Sequence, residues 1–355
     1  MKKLVLFFVT SMMLTSLSAQ EGCAFILEEA QDMFDAGLIE TVPEKLSGCL
    51  EQGFTSEEKL QAYKLVILSY LYDDNLEDAD RVMLEFLSEY PAYESVATDP
   101  REFIVLMESY DRRPVLMIGG SLGANFTFPL VTGRLGTYNY VSNEGNYLPG
   151  GAGFHGSFRI NKRLNERFGL SGEITFSHNR FDFYLDNETE EQVFTGEITD
   201  FTKIDYYETQ NRLSIPLSVN YQINSDGLRA TILIGMAPSL LFTATGDGYR
   251  EYANTDKTRY DPVNVSNVDI MSVRRFLNLA AFAGIGLEYK VGPGELFMDA
   301  RFCVQMLNQV PQGSDRFVQK LAFESFYVTD NLLLNHVTIS AGYMFPIYHP
   351  KKILE

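Results

Sequence analysis

From Val115 onward, apolar residues recur at every second position, and that period constrains the fold more than anything else in the chain. In "IGGSLGANFTF", Ile118, Gly120, Leu122, Ala124, Phe126 and Phe128 share one face; Gly119, Ser121, Gly123, Asn125 and Thr127 share the other. "AGFHGSFRI" sets Phe154, Phe158 and Ile160 against His155, Ser157 and Arg159. "FGLSGEITFS" sets Leu170, Ile174 and Phe176 against Ser171, Glu173 and Thr175. "RLSIPLSVNY" sets Leu213, Ile215, Leu217 and Val219 against Arg212, Ser214, Pro216 and Ser218. Four further alternating runs lie near 229–243, 277–290, 296–308 and 332–347. Successive side chains of a strand point to opposite faces, so each run predicts a strand with one apolar and one polar side.

Eight strands follow, and the connections between them alternate in length. Those near 162–167, 223–227 and 291–295 are short; those near 130–149, 185–207, 244–275 and 309–331 are long. Short turns on one side and long loops on the other mark a barrel of the outer-membrane type. Strands of ten or more residues cross a bilayer when tilted. A soluble lipocalin-like barrel has the same strand count but turns its apolar residues inward. Two features favour the membrane. The polar face carries Arg159, Glu173, Arg212, Arg229, Glu288, Asp299 and Arg301, which can pair inside a closed wall. The apolar face carries Tyr221, Tyr289 and Tyr343 near strand ends, where an interface girdle sits. With no Trp but 20 Tyr and 26 Phe, the girdle falls to Tyr and Phe.

Before residue 112 the period is helical. Lys2, Lys3 and the apolar run Leu4–Leu14, closing at Ser18-Ala19, read as a signal peptide over 1–19. Five helices are then expected. "CAFILEEAQDMFDAG" puts Ile26, Ala30, Met33 and Phe34 on one face and stops at Gly37. Pro43 opens the second helix. Thr55 and Glu58 stand in capping-box spacing before the third. The fourth ends before Pro91, and Asp99 is expected to cap the fifth. The third and fourth helices resemble one tetratricopeptide unit through Tyr63, Tyr70, Ala79 and Pro91, and the first two fit more loosely through Ala30, Gly37 and Leu46. An antiparallel hairpin brings Cys23 near Cys49; in an oxidising compartment they are either bridged or left as two buried thiols.

The expected fold class is therefore α+β: an all-α, tetratricopeptide-like helical-hairpin domain over 20–112, then an eight-stranded antiparallel up-and-down transmembrane β-barrel over 113–348, with a periplasmic tail at 349–355. The second half resembles the eight-stranded outer-membrane barrels of Bacteroidota, the PorT-like group. "RLSIPLSVNY" is similar to that family's fourth strand, "IGMAPSLLF" (234–242) to its fifth, "MDARF" (298–302) to its seventh and "ISAGYMFPI" (339–347) to its closing strand. The resemblance covers about residues 115–348. It implies a scaffold without catalytic residues; some relatives are tied to type IX secretion and gliding, and the helical half departs from the bare barrel.

Chemistry is sparse. Gly119-Gly120-Ser121-Leu122-Gly123 spells G-x-S-x-G, yet no helix follows it and the alternation continues, so Ser121 reads as a small strand residue rather than a nucleophile. His178, in "FSHNRF", lies at a strand's loop end without an accompanying Ser–His–acid set, and His155 reads as an interior plug. No pair of His and carboxylates has metal-ligand spacing, and no cofactor is expected. Eight strands leave an interior filled by side chains, so Arg159, Glu173, Arg212, Asp299 and Arg301 should form an internal polar network. Residues 185–208 carry eight acids against one base, Lys203, and read as a solvated loop. The net charge of −18 argues against nucleic acid or anionic lipid as the main partner.

An even strand number puts both ends of the barrel on the short-turn side, the periplasm. The reading is then a non-enzymatic outer-membrane anchor or adaptor whose periplasmic helical domain binds a protein partner, with outer-membrane lipid and lipopolysaccharide as its surroundings. The alternatives are a lipid-modifying barrel enzyme and a small-solute channel.

Overall fold

The computed structural model describes residues 22–134, 146–165, 167–193, 196–223, 227–253, 262–311, 313, 316–325 and 327–353, without the side chains of 186–202 and 252–253. The expected signal peptide lies outside this range. The chain divides into two compact units: the helices up to Pro114 together with the chain from Tyr348 on, and Val115–Ile347.

The first unit contains α1 (22–35), α2 (Val42–Glu51), α3 (Ser56–Tyr72), α4 (Leu76–Glu89), α5 (Arg101–Glu108) and a short strand β1 (Tyr110–Asp111). α1 stops because Gly37 takes φ +82°, and Leu38 N–H then returns to Met33 O. Thr55 and Glu58 cap α3 reciprocally, and Asn75 Oδ1 accepts from Asp78 N–H to cap α4. The expected cap of α5 is corrected: Pro100 occupies the cap position, and Asp99 turns away to Lys64. The core runs through Ala30, Leu46, Val66, Met83, Phe86, Phe103 and Met107, with Phe86 edge-on to Phe103 at 5.5 Å. The last strand, β13 (Lys351–Lys352), pairs antiparallel with β1, so the chain's end belongs to this unit.

The second unit is one antiparallel sheet. Its long strands are β2 (Pro114–Gly133), β4 (Gly153–Arg163), β5 (Phe168–Val193), β6 (Gly196–Ser214), β8 (Arg229–Ala253), β10 (Leu277–Val291), β11 (Gly294–Gln305) and β12 (Asn331–Tyr348). Shorter pieces are β3 (Asn146–Pro149), β7 (Leu217–Gln222) and β9 (Val263–Asp269). Ladders lead from β2 through β4, β5, β6 with β7, β8, β10, β11 and β12, and β12 pairs again with β2. β6 and β7 both lie between β5 and β8, so they are one strand interrupted at Ile215–Pro216. Proline has no N–H to give the ladder; its carbonyl still accepts from Glu173 N–H at 2.9 Å.

Two connections expected as loops are largely sheet. β5 and β6 pair without a break from Thr175↔Ser214 to Val193↔Gly196, across the segment read as a solvated acidic loop. β8 runs on to Ala253 and pairs with β9. The reason is that the period of two continues. Phe181, Phe183, Leu185, Ile204 and Tyr206 bury with Leu241, Val265, Val268, Val273, Leu321 and Tyr327 in a second apolar core at the long-connection end. A small helix, α6 (Gln319–Glu324), contributes Leu321 to it.

The sheet's two faces are inverted relative to a soluble protein. Leu122 is 76% exposed, Ile285 68% and Ile234 62%, with Phe158, Leu217, Met298, Phe302 and Ile339 exposed alongside them. Ser121, Asn125, His155, Arg159, Glu173, Asp299, Arg301 and Ser340 are buried. An apolar outer band around a polar interior is the arrangement that lipid selects and water penalises. It excludes the lipocalin-like alternative. No helix among the described residues is long and apolar enough to cross a membrane.

Candidate functional site

Three polar layers fill the interior of the second unit. The first lies toward the short turns. Arg163 Nη2 lies 3.2 Å from Glu295 Oε2, and Arg229 pairs with Glu295 and, at 3.4 Å, with Glu288.

The middle layer joins β4, β5 and β11. Arg159 meets Glu173 at 2.9 Å and Asp299 at 2.5 Å; Arg301 meets Glu173 at 2.6 Å and Asp299 at 3.0 Å. Two guanidiniums and two carboxylates alternate, so the charge cancels within the layer. β4 and β11 are not ladder neighbours. The contacts therefore cross the interior, and that is what makes it a filled space rather than a bore.

The third layer sits beneath the second apolar core. Arg274 donates to both Glu208 oxygens, at 2.7 and 2.5 Å, and to Thr329 at 3.0 Å. Tyr206 Oη and Gln210 Nε2 also donate to Glu208. Arg212 belongs here: its Nε donates to Gln210 at 2.9 Å and its Nη2 to Gln309 at 2.6 Å. So four of the five residues expected in one network do come together, and Arg212 does not join them. It stands two residues from Gln210 on the same strand face, further along the wall, where its neighbours are neutral amides.

Arg274 and Glu208 were not legible as interior groups. Both lie in segments expected as loops, outside the alternating runs that reveal which way a side chain faces. Arg163 and Glu295 were likewise missed, each sitting at the edge of a short turn.

Between the middle and third layers lies a cavity of about 60 Å³ lined by Asn125, His155, Thr175, Cys303, His336 and Ser340, among others. His155 Nε2 lies 2.8 Å from Ser340 Oγ, while His155 Nδ1, Asn125 Oδ1 and Thr175 Oγ1 have no protein partner. A polar void of this size accommodates ordered water. The Ser340–His155 pair superficially suggests a nucleophile and base, but no carboxylate bonds to Nδ1 and the pair faces inward, away from lipid. No group of three or more His, Cys, Asp or Glu among the described residues could hold a metal.

The other motif residues are structural. Ser121 Oγ bonds to Ser157 Oγ at 2.7 Å inside the wall. A Cβ on Gly119 would lie 2.0 Å from Tyr343 O, so that glycine permits β2 to approach β12. His178 Nδ1 bonds to Asn211 Oδ1 at 2.8 Å, and the ring stacks on Phe154. Neither residue is part of a Ser–His–acid arrangement.

The helical unit has two polar ties of its own. Asp99 accepts from Lys64 Nζ at 2.5 Å, Tyr93 Oη at 2.7 Å and Val96 N–H at 2.9 Å. Burial works against the charge of Asp99, but these donors prevail and hold its carboxyl below the usual range. Burial also works against the charge on Lys64, and the bonds to Asp99 and Tyr93 outweigh it and raise its pKa. The second tie binds the C-terminus: Lys352 and the Tyr110 hydroxyl both reach Asp80. Cys23 and Cys49 form a disulfide with Cα atoms 5.7 Å apart.

A family model described as an outer membrane protein beta-barrel domain matches residues 112–308. No curated protein matches the sequence. Among solved structures, the attachment invasion locus protein Ail of Yersinia pestis, solved with the heparin analogue sucrose octasulfate, is similar at 14% identity and TM-score 0.26, covering 65% of this chain and 99% of its own. OprG from Pseudomonas aeruginosa is similar at 8% identity and TM-score 0.32, over 66% and 97%. Neisserial surface protein A is similar at 13% identity and TM-score 0.30, over 67% and 99%.

Proposed function

The chain belongs to the outer membrane protein beta-barrel domain family, and from that premise we propose that it is a non-enzymatic anchor whose helical unit binds a protein partner in the periplasm. We take the circuit of ladders from β2 round to β12 as an eight-stranded barrel. With an even strand number, both ends of Val115–Ile347 fall on the short-turn side, which supports a periplasmic helical unit. The tetratricopeptide-like spacing supports a binding role for the stacked hairpins, and the PorT-like strand patterns make an association with type IX secretion or gliding the first to test.

One observation carries the reading: the interior is occupied. Three layers of paired charges and amides cross it, and the apolar core of Phe181, Tyr206, Leu241 and Tyr327 lies at the long-connection end. That weighs against a solute channel. The remaining candidates for catalysis, Ser121, His178 and the Ser340–His155 pair, lack a lipid-facing Ser–His–acid arrangement, which weighs against a lipid-modifying enzyme. What the barrel leaves available is the separately cored helical unit.

The test is cross-linked pull-down of the intact protein from membranes, beside a chain lacking residues 23–110. Deletion should preserve a heat-modifiable barrel and abolish recovery of the partner. Unchanged recovery overturns the adaptor reading. Altered lipid A in a deletion strain would favour the enzyme instead.

A further inference from the structure

We propose that the long-connection rim of β10, β11, β12 and β2 binds the phosphorylated headgroup of lipopolysaccharide. This goes beyond the adaptor reading and concerns the long-connection end of the second unit alone.

The argument begins with parity. On β10, Leu277, Ile285 and Leu287 belong to the exposed apolar face; on β11, Met298, Phe302, Val304 and the following Met306 do. On β2 the same face carries Leu122, Phe126, Phe128 and Leu130, and on β12 Ile339, Phe345 and Ile347. At the long-connection ends of these four strands the chemistry changes. Arg275 and Asn308 lie two residues past Leu277 and Met306, just outside β10 and β11; Thr132 lies two past Leu130 on β2, and Asn331 opens β12.

These four polar residues form one hydrogen-bonded rim. Arg275 Nε donates to Asn308 O at 2.8 Å. Asn308 Nδ2 donates to Thr132 Oγ1 at 3.2 Å, and Thr132 Oγ1 donates to Asn331 O at 3.2 Å. Arg316 Nη1 donates to Asn331 Oδ1 at 2.9 Å. Two guanidiniums thus stand at the long-connection ends of four adjacent strands, and each is half-buried.

Their charge is not spent. Within the three interior layers Arg159, Arg163, Arg229, Arg274 and Arg301 each pair with a carboxylate, and Arg212 is held by buried amides. Arg275 and Arg316 bond a carbonyl and an amide oxygen, and neither has a carboxylate within ion-pair distance among the described residues. In a chain of net charge −18, with eight acids in 185–208 across the barrel, this concentration of positive charge is local. A guanidinium fork matches a phosphate, and an apolar wall directly below matches acyl chains. A ligand bearing phosphate immediately above acyl chains, at the outer surface, is lipopolysaccharide.

The experiment uses the full-length protein in detergent micelles and reads retained lipid by native mass spectrometry. Wild-type protein should retain bis-phosphorylated lipid A at least ten times more tightly than dephosphorylated lipid A. R275Q/R316Q should lose that preference, and R275K/R316K should keep most of it. Equal retention of the two lipids by wild type overturns the proposal, as does an undiminished preference in the glutamine variant. If the glutamine variant fails to fold, the wild-type lipid comparison and the lysine variant still decide.

Discussion

Arg301 Nη2 donates to Glu173 Oε1 at 2.6 Å although the two are 128 residues apart and on strands that share no ladder. Each is also one of four alternating charges, with Arg159 and Asp299 completing the set. The desolvation of four ions is offset only while all four are present.

Removing one member should therefore cost more than removing the layer. Arg301→Ala leaves Glu173 and Asp299 facing each other with one guanidinium between them, and should destabilise the barrel by about 3–5 kcal/mol. Replacing all four by apolar residues of similar volume should restore most of that. Urea unfolding in lipid vesicles, followed by gel heat-modifiability, reads both; equal losses in the single and quadruple variants would contradict the layer's cooperativity.

The disulfide Cys23–Cys49 closes a loop of 26 residues. Closing a loop of that size restricts the unfolded chain and is worth about 3 kcal/mol. Reduction, or Cys49→Ser, should lower the melting temperature of the helical unit by several degrees and leave barrel heat-modifiability unchanged. Alkylation of Cys23 and Cys49 without reductant, beyond that of the free Cys303, in protein taken from cells would show that the bond does not form there.

The Lys64–Asp99 pair predicts a pH response at both extremes. Asp99 is held below its ordinary range, so its stabilisation is full above the ordinary carboxylate value and is lost as pH falls through the lowered one. Lys64 is raised, so its contribution is full below its ordinary 10.5 and is lost as pH rises through the raised value. Circular-dichroism melts of the intact protein across pH should show the helical transition falling at both ends, and Asp99→Asn should flatten the acid limb.

Ser121 and Gly119 should respond oppositely to substitution. Ser121→Ala removes one hydrogen bond to Ser157 and should cost about 1 kcal/mol with no loss of function. Gly119→Val places a branched side chain where a Cβ alone would lie 2.0 Å from Tyr343 O. It should prevent β2 from docking on β12 and abolish the heat-modifiable band. An inactive but well-folded Ser121→Ala protein would reinstate the nucleophile reading.

Local pattern decided a great deal by itself. A period of two assigned Leu122, Phe158 and Ile174 to one face and Ser121, Arg159 and Glu288 to the other, because strand side chains alternate whatever the strand's neighbours are. The same logic placed Gly37 and the Thr55–Glu58 cap, whose partners lie within one turn. Tertiary structure decided what depended on residues distant in sequence. Asp99 abandoned its helix cap because Lys64, 35 residues away, offers a charged donor. Arg212 left the expected network because its height on the wall, set by ladder register, puts Gln210 and Gln309 within reach instead of Asp299. Segment 185–208 became a hairpin because Phe183, Leu185 and Ile204 find Val265, Leu321 and Tyr327 to bury against. Periodicity tells which way a side chain points; only the assembled wall determines what it meets there.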